Sequence, residues 1–387
     1  MSSVDDVLFF VSFLEEYFMD HSDPDANMES MDLIGESTQA EKQETATTLL
    51  PPVHVESVVI YPIKSCRGYK IPRGKSWPIA PHGLLYDREW MLVDEITGAA
   101  LTQKRFPRMC MIRAEILLDQ NLMIVEHDQE EEQEEHASTA VDRRLYISLE
   151  EMPTEAVKSS SRVCGDCTTV VHYTSPQINE WFSRFLGKPC RLARQPVTEP
   201  NVGTAAPTNT PSSRFVKSHL NAPEGAPIML SNESPFLLIS DKSVSRVRDW
   251  IDEHDEGQGA VRRLANSSLD LPASARHEMT SDSFRANFVT QGGDPALSFE
   301  EDHWTRIQVG EQVFDILGPC RRCHMVTIDQ KTAMKNSDVF LALSKNRKAP
   351  SGQIFFGMHM LHRPELSVAP YVVRVGDRIR IKGSVPL

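Results

Sequence analysis

The chain has 387 residues, enough for two or three domains, and its 40% hydrophobic and 25% charged residues are those of a globular protein. The formal net charge is -13, but residues 1–50 hold 12 acids and one lysine, residues 126–135 hold seven acids and no base, and the rest carries 40 basic against 35 acidic residues. That slight positive balance suits a small anionic ligand and is too weak to indicate nucleic acid. Seven cysteines, an odd number at low density, together with the lack of a secretory signal, imply a reducing, cytoplasmic location.

The apolar stretch VLFFVSFLEEYFM near the start is too short to span a bilayer and carries two glutamates, so it reads as neither membrane span nor presequence. Over residues 3–19 the pattern predicts an amphipathic helix, with Ser3 and Asp6 as a capping box and Val7, Val11, Leu14 and Phe18 on one face. Residues 21–52 are polar, acidic and aperiodic, which predicts a disordered linker. Strands are then predicted at HVESVVIYPI, at EWMLVDE up to a turn at Thr97-Gly98, and at AEILLD, NLMIVEH, LYISLE and TTVVHY, with the acidic run as a solvated loop. Ser175 should open a helix, SPQINEWFSRFLG, that Gly187 closes. Residues 197–210, rich in Pro, Thr and Asn, mark a junction. Beyond it, PFLLIS, a helix near 243–253, FRANFVT, TRIQVG, QVFDILG, HMVTIDQ and YVVRVGDRIRIKG predict a β-barrel of short strands broken by Gly turns. The fold class expected is mainly β with α, an α+β protein, without internal repeats.

Two CxxC pairs stand out, Cys164/Cys167 and Cys320/Cys323. A joint four-thiolate zinc site would need convergence across a far wider gap than a zinc ribbon has. A redox pair would need a helix N-terminus, whereas DILGPCRRCHMVTID reads as strand–turn–strand. Cys164 and Cys167 read as ordinary thiols in a turn. Between Cys320 and Cys323 lie Arg321 and Arg322, whose fixed charge favours thiolate, either a nucleophile or a ligand for a soft metal. The bland reading is a turn with buried cysteines and surface arginines. In YPIKSCRG, Lys64, Ser65 and Arg67 follow a strand, where a phosphate could be held. Asp87 and Arg88 sit inside an apolar stretch, as an ion pair or part of a ligand site, and SFRANFV places Arg285 and Asn287 before an apolar run. No GxGxxG or GxxxxGK[ST] loop occurs.

The ordered series VESVVIYPIKSCRG, GLLYDREWMLVDE, LTQKRFPRMCMI, SFRANFV and VFDILGPCRRCHMVTIDQKT resembles the MOSC family, and within it the C-terminal part of the eukaryotic molybdenum cofactor sulfurases. The resemblance covers residues 54–385. It implies a MOSC N-terminal β-barrel-like domain over 53–196, a linker over 197–225 and a MOSC β-barrel domain over 226–387. Residues 1–20 are similar to the last helix of those enzymes' cysteine desulfurase domain. The chain would then be the C-terminal portion of a longer protein, without the core that binds pyridoxal phosphate.

Comparison with the related mitochondrial amidoxime-reducing component implies Cys323 as the molybdenum ligand and catalytic thiolate. It implies Lys64, Ser65, Arg88, Glu233, Ser234, Pro235, Arg285, Asn287, Arg321 and Arg322 as binders of the molybdenum cofactor, a Mo-molybdopterin. His359 falls at a position near the cofactor where the family residue differs. The implied function is a sulfurtransferase that binds this cofactor and supports transfer of sulfur to its molybdenum. The sulfur would come from a cysteine desulfurase domain, and xanthine dehydrogenase- or aldehyde oxidase-type enzymes would receive the product. Two alternatives are a molybdenum oxidoreductase reducing N-hydroxylated substrates and a non-catalytic cofactor carrier.

Overall fold

Phe236–Ser240, sequence FLLIS, is buried at every position, and it anchors the largest sheet. A continuous apolar run is what a strand covered on both faces requires. In this computed structural model, which describes residues 51–128, 143–150, 158–163, 166–196, 214–265 and 279–386, the strand pairs in parallel with Phe288–Gln291 and antiparallel with Phe355–His362. Its alternate residues serve two cores. Phe236 and Leu238 join the main cluster, which also contains Val58, Trp90, Cys190 and Phe314, while Leu237 and Ile239 face a second cluster with Val244, Val247, Val339 and Leu343. The helix expected over 3–19, nearly all of the linker, most of the acidic run, and Cys164 lie outside the described residues.

The full sheet runs Tyr69–Lys70, His54–Ile60, Phe288–Gln291, Phe236–Ser240, Phe355–His362, Gln312–Arg321, Trp304–Val309, Ile379–Ser384. Its two end strands are not paired with each other among the described residues, so it is a curled half-barrel. A four-stranded sheet orders Trp90–Asp94, Cys190–Arg194, Asp166–His172 and Lys158–Val163. Ile112–Leu117, Leu122–His127 and Arg144–Ser148 form a meander, and Val372–Arg374, Ser76–Ala80 and Gly83–Leu84 form another small sheet. From Leu50 onward the chain is one contact unit.

Three α-helices occur among the described residues: α1 (Pro176–Leu186), α2 (Asp241–Ala265) and α3 (Asp338–Asn346). The predicted limits of α1 agree with its caps: Ser175 Oγ accepts from the Ile178 amide, Pro176 sits at the start, and Gly187 closes it at φ 65°. Trp181, Phe182 and Phe185 form its buried face. No helix among the described residues is long and apolar enough to cross a membrane.

Two segments differ from expectation. Instead of a strand at HMVTIDQ, His324–Thr327 is a 3-10 turn, closed by a bond from Thr327 Oγ1 to the His324 oxygen. The strand before it runs on to Arg321, with register shifts at Ile316/Gly318 and Pro319/Arg321 that bend it away. Likewise FRANFVT begins as a 3-10 turn, Ser281–Phe284, and its strand starts only at Phe288.

Candidate functional site

The loop after His54–Ile60 carries Lys64 and Ser65. The Lys64 amide donates to the Trp90 oxygen (2.7 Å), and Ser65 takes a left-handed conformation, φ 69°. Lys64 Nζ donates to the Leu230 oxygen (2.8 Å) and to Asn232 Oδ1 (2.6 Å), tying this loop to the segment before Phe236. Arg88 is also left-handed, φ 53°, held by its amide to the Tyr61 oxygen (2.9 Å) and by the Leu230 amide to its own oxygen (3.0 Å). Its guanidinium pairs with Asp87 and donates to Asn287 Oδ1 (3.3 Å) and to the Arg285 oxygen (3.0 Å). Asn287, 1% exposed, also donates to the Val59 oxygen and to Asp87, so its side chain is fully engaged in stitching strands together.

Arg285 is the third left-handed site residue, φ 55°. Ser65, Arg88 and Arg285 are three of the seven non-glycine residues with positive φ among the described residues. Such conformations cost of order 1 kcal/mol or more, and they cluster where function requires them. The Arg285 guanidinium lies 4.4 Å from the centre of the Tyr61 ring, and that of Arg88 lies 4.5 Å from the same ring. Arg285 has a long bond to Gln103 Oε1 (3.4 Å) and no ion pair among the described residues. Burial, opposed in part by Tyr61 and reinforced by the Arg88 charge, holds its pKa below the usual arginine range. A sheltered cation without a carboxylate is a place for an anion.

The second half of the site surrounds the CxxC turn. Cys323 is exposed, whereas Cys320 is buried. Arg321 is exposed, but Arg322 is a tie: Nε donates to the Phe356 oxygen and Nη1 to the Phe284 oxygen (both 2.8 Å), with the guanidinium against both rings. Cys320 Sγ, a His359 ring nitrogen and a Glu233 carboxylate oxygen lie within 4.8 Å of one another. His359 Nε2 is 2.9 Å from Glu233 Oε2, and His359 Nδ1 is 2.6 Å from Ser234 Oγ, which donates to the Phe236 oxygen (2.8 Å). Burial lowers the His359 pKa, but the Cys320 and Glu233 negative charges outweigh it and raise the value to about 9. Burial likewise opposes the Cys320 thiolate, and the charges of Arg322 and His359 overcome it, so its pKa falls below the usual thiol value. In contrast, burial is the main cause that pushes the Cys66, Cys110 and Cys190 thiols up, and their neighbouring cations and hydrogen bonds do not overcome it.

The structure therefore joins Lys64 to the Asn232–Glu233 segment, and Arg88 to Arg285 and Asn287. Pro235 contributes a main-chain oxygen packed close to Gly83. No hydrogen bond or ion pair joins the Cys323 thiol to these groups among the described residues. Sequence reasoning missed Tyr61, Asn232 and the alliance of Cys320 with His359. The Tyr61 hydroxyl bonds the Ala286 oxygen 225 residues away and Asn232 accepts from Lys64 168 residues away, so no local spacing reports them.

Comparison with known proteins gives a consistent answer. The profile of the MOSC N-terminal beta barrel domain matches residues 53–189, and that of the MOSC domain matches residues 225–380. A protein named molybdenum cofactor sulfurase from Botryotinia fuckeliana is 34% identical over 98% of this chain and 46% of its own length. Proteins of the same name from Aspergillus clavatus and Neosartorya fischeri are 35% and 36% identical over 93% of this chain and 42% of theirs. The chain thus spans less than half the length of these relatives.

Proposed function

The chain belongs to the MOSC-domain family, and on that footing we propose that it binds the molybdenum cofactor and supports transfer of sulfur to its molybdenum, as a sulfurtransferase of the molybdenum cofactor sulfurase type. The observation that carries this reading is Arg285, a sheltered guanidinium beside Arg88 with no carboxylate of its own among the described residues. That charge fits the phosphate of a pterin cofactor.

In this reading Arg285 and Arg88 take the phosphate, Lys64 and Ser65 complete the cradle, and Asn287 and Asp87 hold Arg88 in place. The Glu233–Ser234–Pro235 segment, tied to Lys64 through Asn232, provides the polar edge for the pterin. Arg322 fixes the CxxC turn, Arg321 adds positive potential, and the exposed Cys323 thiolate is the soft ligand. The cofactor, when bound, supplies a molybdenum centre that accepts sulfur. Sulfur would arrive as a persulfide from a cysteine desulfurase domain, and the product would serve xanthine dehydrogenase- or aldehyde oxidase-type enzymes in the cytoplasm.

The test is cofactor affinity, followed by molybdopterin fluorescence. A hydrogen bond to a charged group contributes about 1.5–3 kcal/mol, so Arg285→Ala should weaken binding at least about tenfold with little change in thermal stability. Unchanged affinity would remove the anion pocket from this reading.

A further inference from the structure

We propose that Glu233, Cys320 and His359 form a site for one divalent transition-metal cation of the zinc class, separate from the anion pocket and from the Cys323 thiol. The three donor atoms already lie within 4.8 Å of one another. Zinc bonds of about 2.0–2.3 Å in tetrahedral geometry separate ligand atoms by roughly 3.3–3.8 Å, so closure requires movements of about an ångström. Two of the ligands stand on adjacent strands of one sheet: Cys320 on Gln312–Arg321 and His359 on Phe355–His362, with Gly318 directly opposite His359. Glu233 precedes Phe236–Ser240, which pairs with the His359 strand. Ligands carried on a packed sheet need little reorganisation.

Proton placement supports the site independently. Ser234 has one hydroxyl proton, and it donates that proton to the Phe236 oxygen. Its Oγ must then accept from His359 Nδ1, so Nδ1 carries a hydrogen. Nε2 of the neutral ring is left with a lone pair aimed at the Glu233 carboxylate, 2.9 Å away. Two lone pairs cannot face each other at that distance without a cation between them. A proton fills this role in the ligand-free protein. A metal ion would replace it, with Ser234 as the outer partner that fixes the ring. The donor set is one nitrogen, one thiolate and one carboxylate. It neutralises a divalent charge and suits zinc or cobalt, not the oxygen-seeking calcium or magnesium. His219 Nε2, 3.8 Å from the other Glu233 oxygen, stands beside the remaining position. Cys320 and His359 are both largely buried, while Glu233 is half-buried and leaves a way in from solvent.

This inference does not rest on cofactor binding. Its test is a titration of the metal-free full chain with cobalt(II) under anaerobic conditions. One equivalent should produce the intense sulfur-to-cobalt absorption and the visible bands of a tetrahedral ion, and one equivalent of zinc should bleach them. Cys320→Ser and His359→Gln should each weaken binding at least 100-fold, and Glu233→Gln about tenfold, with circular dichroism confirming that each variant is folded. Cys323→Ala should bind cobalt as the parent does. Absence of the sulfur band in the parent protein would overturn the proposal. So would its loss in Cys323→Ala, or in Cys164→Ala/Cys167→Ala, with retention in Cys320→Ser. Should Cys320→Ser fail to fold, the His359→Gln titration alone decides.

Discussion

Arg321 and Arg322 are neighbours with the same chemistry, yet their environments differ. Arg321 is exposed, and Arg322 bonds two main-chain oxygens on separate segments. Arg322→Ala should therefore destabilise the protein by about 2–4 kcal/mol, since two charge-assisted bonds are lost and two buried carbonyls are orphaned. Arg321→Ala should change stability by less than about 0.5 kcal/mol, as surface substitutions do. Urea unfolding of the two variants measures this, and equal effects would contradict the tie assigned to Arg322. At Cys323 the expected outcome is functional: Cys323→Ala should lose molybdenum retention, read by elemental analysis, with the melting temperature unchanged. Which arginine is the tie was not legible in the sequence, because the choice depends on carbonyls of Phe284 and Phe356 that lie 38 and 34 residues away. The left-handed conformations were equally hidden. Arginine and serine have no preference for that region, and tertiary bonds such as Arg88 amide to Tyr61 oxygen impose it.

At the scale of elements, strands and α1 were legible wherever apolar alternation met clear punctuation. HMVTIDQ was not, because a short apolar run does not distinguish a strand from a 3-10 turn. Within Phe355–His362, Gly357 has φ 75°, and a Cβ there would sit 2.8 Å from the Leu238 oxygen and 2.6 Å from the Ile239 side chain. The close approach lets this strand pair with Phe236–Ser240 beside the Arg322 tie. Gly357→Ala should cost about 2–4 kcal/mol from strain and overpacking, seen as a lower urea midpoint. Where α2 begins, buried Glu301 accepts from the Ser240 amide (3.2 Å) and Ser243 Oγ (2.9 Å), and burial raises its pKa to about 7. A carboxyl raised in the folded state stabilises the fold fully below its ordinary value near 4.5 and loses that contribution as the pH rises through 7. Glu301→Gln, which stays neutral, should show a flatter stability profile between those two pH values. An identical slope in both proteins would mean that Glu301 titrates normally.

For the whole molecule, the family segments 53–189 and 225–380 share structure. His54–Ile60 pairs with Phe288–Gln291, Ser76–Ala80 pairs with Val372–Arg374, and the main core draws residues from both segments. Calorimetry of residues 50–387 should accordingly show one cooperative transition, and two well-separated transitions would contradict the shared core. The same pairings bear on how the protein is made. His54–Ile60 leaves the ribosome about 230 residues before its partner, which at about 5–20 residues per second is a delay of roughly 10–45 s. Through that interval the strand has only the two-residue strand Tyr69–Lys70 beside it among its described sheet neighbours. Its production should therefore depend on chaperones that shield nascent chains, and slower elongation should lower the soluble yield where many proteins gain from it.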